Sequence, residues 1–130
     1  MENTASKVLI AEDNAALLRV LEFTLARAGY AVTQASDGAQ AWQHAQAEDF
    51  DIVLTDQQMP YMTGVELCTN LRSLDRYEHT PIVLLTAKGM ELELPQLCAE
   101  LGIAATFSKP FSPSQVLKKV QELLAAKATV

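Results

Sequence analysis

Apolar residues recur along the chain in two alternating rhythms. Val8-Leu9-Ile10-Ala11 is a short unbroken apolar run, the pattern of a strand buried on both faces. Leu17, Leu18, Leu21, Leu25 and Ala28 then recur at helical spacing, and Gly29 supplies a stop. Tyr30–Ala35 reads as a second strand, and Asp37 is placed to cap a helix running to about Glu48. Ile52–Thr55 is a third strand, followed after Gly64 by the helical positions Val65, Cys68, Leu71 and Leu74. Pro81 opens a fourth strand, Ile82–Thr86, where a missing N–H is tolerated. A helix over Leu94–Leu101 ends at Gly102, and Ala104–Ser108 is a fifth strand. Ser112 caps a last helix whose stripe is Val116, Leu117, Val120, Leu123 and Leu124. Pro95 lacks an N–H and fits only a first turn, so the fourth helix is expected to begin near Leu94, after a long connection from Ala87 to Glu93.

Five strand–helix pairs in strict alternation define an α/β fold with parallel pairing, right-handed crossovers and a sheet covered on both faces. At 130 residues one domain is expected over 1–130, with its core from about residue 7 to 124. Only Ala125–Val130 follow the last stripe, so no output domain is expected within these residues.

The bulk chemistry narrows the function. A 49% hydrophobic chain holds ample material for a core, and a net charge of -6 argues against direct nucleic-acid binding. No apolar run approaches the ~20 residues of a membrane span, and the polar stretch Met1–Lys7 is no signal peptide, so no membrane association and a cytoplasmic location are expected. Cys68 and Cys98 form no CxxC and have no adjacent His pattern, and are expected to be half-buried reduced thiols.

Ligands of open parallel sheets bind beyond the carboxyl ends of the strands. That edge receives Glu12 and Asp13 after the first strand, Asp56 after the third, Thr86 at the end of the fourth and Lys109 after the fifth. Each has a plainer reading. Asp13 or Asn14 could cap a helix, Glu12 and Lys109 could be solvated, Asp56 could form a turn and Thr86 could fill a strand. Their coincidence at one edge favours a site. If the first and third strands are neighbours, three acids crowd one pocket, and two charges ~4 Å apart repel by roughly 4 kcal/mol at an effective dielectric near 20. Such a cluster calls for a hard cation such as Mg²⁺, or for protons. With Lys109 as a fixed cation and Thr86 as a hydroxyl donor, it is a place where a phosphoryl group could meet a carboxylate.

The stretches VLIAEDNA, VLTDQQMPYMTG, LLTAKG and FSKPF, in this order and spacing, resemble the receiver domain of two-component response regulators, of the chemotaxis-regulator kind, from about Lys7 to Leu124. The resemblance implies a flavodoxin-like, doubly wound (βα)5 sheet of order 2-1-3-4-5. It implies that Asp56 is phosphorylated by a sensor histidine kinase or a histidine phosphotransfer domain. Asp13 matches the direct Mg²⁺ ligand, Glu12 a neighbour acting through water, and Gln58 the residue whose backbone carbonyl joins Asp56 around the ion. Thr86 and Lys109 match the phosphoryl-binding hydroxyl and cation, and Pro110 a proline that is usually cis. The domain would catalyse only its own phosphorylation and dephosphorylation, and its downstream protein partner is not implied.

One position departs from the family. An aromatic residue three before the lysine couples the hydroxyl to the output face, and here that position is Thr106, with Phe107 next. The connection before Pro95 is therefore expected to carry more of the switch. Trp42, on the second helix, is expected to lie away from Asp56 and to sense Mg²⁺ weakly. Two alternatives stand beside this reading. One is a phosphorylation-independent binding module. The other is a phosphatase of the haloacid dehalogenase kind, whose second acid would have to occupy the place of Gln58.

Overall fold

The computed structural model describes residues 5–87 and 95–128. The elements are β1 (Lys7–Ala11), α1 (Ala15–Arg27), β2 (Ala31–Ala35), α2 (Gly38–Ala47), β3 (Ile52–Asp56), α3 (Gly64–Arg72), β4 (Ile82–Thr86), α4 (Pro95–Leu101), β5 (Ala105–Ser108) and α5 (Pro113–Ala128), with a 3₁₀ turn at Asp75–Tyr77. The strands form one parallel sheet in the order β2-β1-β3-β4-β5, as the resemblance implies.

Strand alternation divides the core between the two faces. Val8, Ile10, Ile52, Leu54, Val83 and Leu85 face Leu18, Leu21 and Leu25 of α1 and Val116 and Val120 of α5. Leu9, Ala11, Val53 and Ile82 face Ala41 and Ala45 of α2 and Leu67, Cys68 and Leu71 of α3. Every residue of β3 and β4 is buried, which explains why both read as unbroken apolar runs.

Helix ends follow the expected chemistry. Asp37 Oδ1 accepts from Gln40 N at 2.8 Å, capping α2. Asn14, not Asp13, caps α1 by accepting from Leu17 N at 3.0 Å. Gly29, at φ 104°, ends that helix in a region glycine enters without steric cost. Ser112 closes α5 partly through its carbonyl, which accepts from Gln115 and Val116, while its hydroxyl pairs with Ser114 Oγ at 2.8 Å.

Two expectations shift. Cys68 is fully buried, whereas Cys98 is intermediate; α3 presses Cys68 onto the sheet. Tyr30 and Ala104 lie just outside their strands, while Asp56 lies within β3, because Gln57 N donates to Leu85 O and prolongs the ladder. The helix α4 is described from Pro95 onward, and all of the expected connection Ala87–Glu93 but Ala87 itself lies outside the described residues.

Candidate functional site

The sheet order places the ends of β1, β3 and β4 side by side, with β5 beyond. Glu12 follows β1 and its N–H donates to Ala35 O at 3.0 Å, so it continues the β1–β2 ladder. Asp56 ends β3 opposite Leu85, and Thr86 ends β4 opposite Ser108. Lys109 is held to the same edge because its N–H donates to Thr86 O at 2.7 Å. The Lys109–Pro110 bond is cis, as the resemblance implies.

These placements bring charges together. One carboxylate oxygen from each of Glu12, Asp13 and Asp56 lies within 4.8 Å of the others. Asp13 is exposed, Asp56 is 3% exposed and Glu12 is fully buried. Lys109 Nζ reaches into the cluster, 3.1 Å from Asp56 Oδ2 and 3.2 and 3.3 Å from the two Glu12 oxygens. Burial first and the Asp56 charge second raise the Glu12 pKa, to about 7, against the opposing bond from Asn14 N and the Lys109 ammonium. Burial works against the Lys109 ammonium, yet its bonds to Asp56 and Glu12 hold its pKa above the ordinary lysine value.

Thr86 is fully buried, and its hydroxyl lies 3.5 Å from Phe107 O, directed at β5. Gln58 is exposed on the rim, two residues beyond Asp56. Thr106 is exposed, and Phe107 packs on the α1–α5 side with its ring 6.2 Å from that of Phe111. Neighbouring strand residues point to opposite faces, so Phe107 does not stand in for an aromatic at 106. Trp42 is half-buried on α2, among the core residues of that face.

The loop from β3 to α3 holds a residue that the apolar pattern does not reveal. Gln57 Oε1 accepts from Val65 N at 2.8 Å, and Gln57 O accepts from Gly64 N at 3.0 Å. No periodicity marks a glutamine whose partners are backbone amides seven and eight residues away. In the same loop Tyr61 is 86% exposed at φ 71°, and Met62 N donates to Pro60 O at 2.8 Å. That is the φ-positive, strained kind of γ-turn. A separate pocket of about 510 Å³ lies at the opposite edge of the sheet, beside Arg72, His79 and Ala99, and takes in none of these residues.

A doubly wound sheet carrying three acids and one lysine at its carboxyl edge defines a receiver-type site. The family model described as "Response regulator receiver domain" matches residues 8–121, and the chain belongs to that family. It is 34% identical to the chemotaxis protein CheY1 of Helicobacter pylori over 91% of this chain and 95% of that protein. It is 36% identical to the alkaline phosphatase synthesis transcriptional regulatory protein PhoP of Bacillus subtilis, over 91% of this chain. The chain spans about half the length of PhoP and of its fellow regulator ResD. Among solved structures, CheY4 of Vibrio cholerae superposes with a TM-score of 0.84 at 35% identity, covering 92% of this chain and 98% of that one. The receiver domain of the sensor histidine kinase PA1611 of Pseudomonas aeruginosa, with a magnesium ion coordinated in its active-site cleft, gives 0.83 at 27% identity, covering 94% and 99%.

Proposed function

We propose that this receiver domain is a phosphorylation-controlled switch in which Asp56 accepts a phosphoryl group from the phosphohistidine of a sensor histidine kinase or histidine phosphotransfer domain. The state of Asp56 then decides which protein the domain binds. The observation that carries this reading is the convergence of Glu12, Asp13 and Asp56 on one point, bridged by Lys109.

The donor set fits Mg²⁺. It is all oxygen, and the buried Glu12 Oε1 has no aligned hydrogen-bond partner, as suits an atom facing a hydrated cation. Glu12, Asp13, Asp56 and the Gln58 carbonyl would hold the ion, which would neutralise charge on the transferring group. The magnesium-bound cleft of the PA1611 receiver supports the same assignment.

The chain's own groups do the rest. An Asp56 carboxylate oxygen attacks phosphorus, the P–N bond to the donor imidazole breaks, and an acyl phosphate forms. The buried β3 keeps the nucleophile in line, and the imidazole leaves with a proton from solvent. Lys109 exchanges its contact with Asp56 for one with a phosphoryl oxygen. The Thr86 hydroxyl gives up its long contact with Phe107 O and donates to another. No external metabolite is turned over, so the domain is a switch rather than an enzyme. Among the described residues no helix is long and apolar enough to cross a membrane, and the cytoplasm, where such donors present their phosphohistidine, is the proposed location.

The test is incubation with Mg²⁺ and acetyl phosphate or phosphoramidate, followed by intact-mass and peptide analysis. One phosphoryl group on the Asp56 peptide, lost with EDTA and in Asp56→Asn, is the expected result. Steady phosphate release from small esters would support the phosphatase alternative. The absence of both would leave a phosphorylation-independent binding module, the reading that the exposed Thr106 favours.

A further inference from the structure

We infer that Gln57 is a positioning residue for the cation site, acting through the peptide that precedes Gln58. The inference rests on the Mg²⁺-dependent reading above.

A helix leaves four N–H groups at its start without intrahelical partners. In α3 all four are met. Thr63 N donates to Glu66 Oε1 at 2.9 Å, and Glu66 N to Thr63 Oγ1 at 3.1 Å, forming a capping box. The other two both go to Gln57: Gly64 N to its carbonyl at 3.0 Å and Val65 N to its side-chain Oε1 at 2.8 Å. The Gln57 N–H is itself taken by Leu85 O at 2.9 Å. Three bonds thus tie one residue to β4 on one side and to the start of α3 on the other.

The tie has a geometric consequence. The Gln57 carbonyl lies in the plane of the peptide that joins it to Gln58. The Gly64 N bond to that carbonyl fixes the plane, and with it the starting direction of the next carbonyl, that of Gln58; the side-chain Oε1 bond to Val65 N holds the start of α3 where Gly64 N can make it. The start of α3 also comes very close: a Cβ on Gly64 would stand 2.5 Å from Asp56 O and 3.0 Å from Gln57 Cα. Gln57 therefore registers the helix against the backbone of the nucleophile and the backbone carbonyl proposed to hold the ion. Groups that orient metal ligands typically change metal affinity 10- to 100-fold when removed.

Two variants separate this role from simple helix capping. Gln57→Met keeps the length of the side chain and removes the acceptor. Gln57→Glu keeps an acceptor for Val65 N. Mg²⁺ binding is read by titration calorimetry and amide NMR, and phosphorylation by acetyl phosphate as a function of Mg²⁺. For Gln57→Met we expect a roughly tenfold higher Mg²⁺ Kd and faster exchange at the Val65 amide. Saturating Mg²⁺ should restore most of the phosphorylation rate that the variant loses at low Mg²⁺, since the defect lies in affinity. Gln57→Glu should restore Val65 protection and bind Mg²⁺ at least as tightly as wild type. If Gln57→Met lowers only the melting temperature and keeps the wild-type Kd, the positioning role is wrong and Gln57 is a cap alone. A wild-type protein without Mg²⁺ affinity removes both this inference and the reading beneath it.

Discussion

Lys109 Nζ stands 3.1 Å from Asp56 Oδ2 while also lying within 3.3 Å of both Glu12 oxygens. One ammonium is thus shared by the proposed nucleophile and a fully buried acid. Any divalent ion entering the cluster meets carboxylates that are already partly neutralised. Lys109→Met should therefore raise Mg²⁺ affinity, by roughly three- to tenfold after solvent screening of a partly exposed lysine. The same change should slow phosphorylation by acetyl phosphate, because the fixed cation for the phosphoryl oxygens is gone. Calorimetry and a phosphorylation time course would show the two effects with opposite signs. A variant weaker in both would mean that Lys109 shapes the cluster rather than competing within it.

The cysteines make a pH prediction. Burial pushes the Cys68 thiol up to about 12, whereas Cys98 is raised and only partly covered. Iodoacetamide at pH 8 should modify Cys98 first and reach Cys68 only on unfolding. The linkage has a definite sign. Between the ordinary thiol value of 9.0 and about 12 the folded chain keeps a proton that the unfolded chain loses. Stability should therefore fall as pH rises through that window, by up to about 1.4 kcal/mol per pH unit. Cys68→Ala should flatten this alkaline limb in chemical denaturation, after correction for its own packing loss.

Tyr61 is an aromatic residue at φ 71°, 86% exposed, at the centre of a γ-turn. The flanking bonds from Gly64 and Val65 to Gln57 hold the loop in place, so the strain is imposed from outside. Tyr61→Asn, a residue more tolerant of positive φ, should raise stability by about 0.5–1 kcal/mol. Urea unfolding measures it, and an unchanged midpoint would show that the turn carries no strain.

The parallel sheet and the strand-end residues were legible because both follow from the alternation of apolar runs, whereas the order of the strands came from the family resemblance. Val8–Ala11 and Ile52–Thr55 are short apolar runs that suit buried strands, and whatever follows such strands reaches the carboxyl edge. What the pattern did not reveal are polar side chains that bind backbone groups far along the chain. Tyr77 is one: its hydroxyl donates toward Glu48 O at 2.6 Å and Ala45 O at 2.9 Å, and accepts from Phe50 N. Gln57 is another. Neither position belongs to a period, so nothing in the spacing distinguishes them from solvated residues. The departure at Thr106 was legible, but its consequence was not, because only the strand register shows Phe107 on the opposite face.

Arg72 belongs to the same hidden class. Its guanidinium donates to Tyr77 O at 2.6 Å, Thr80 O at 2.8 Å, Leu101 O at 2.8 Å and Gly102 O at 3.1 Å. It joins the end of α3 to the turn before β4 and to the end of α4. Arg72→Met should cost about 2–3 kcal/mol, since several partly buried carbonyls lose a charged donor. Arg72→Lys should recover little, because one ammonium cannot span carbonyls of two segments. Thermal unfolding of both variants checks this, and full recovery by lysine would show that charge rather than the fork matters.

Two glycines distinguish damage to the fold from damage to the site. Gly29 has φ 104° with open space around it, so Gly29→Ala meets only backbone strain, about 1–2 kcal/mol. Gly64 is different, because an added Cβ would meet Asp56 O at 2.5 Å and Gln57 Cα at 3.0 Å, both backbone atoms that cannot swing aside. In Gly64→Ala the start of α3 must lift away, breaking its bond to Gln57 O and dragging on the Asp56 peptide. The stability loss should reach about 1–3 kcal/mol or more, with Mg²⁺ affinity falling alongside it. Gly29→Ala should keep wild-type Mg²⁺ affinity despite a comparable loss of stability. If both variants retain the wild-type Kd, the approach of α3 to Asp56 serves packing alone and the site tolerates its displacement.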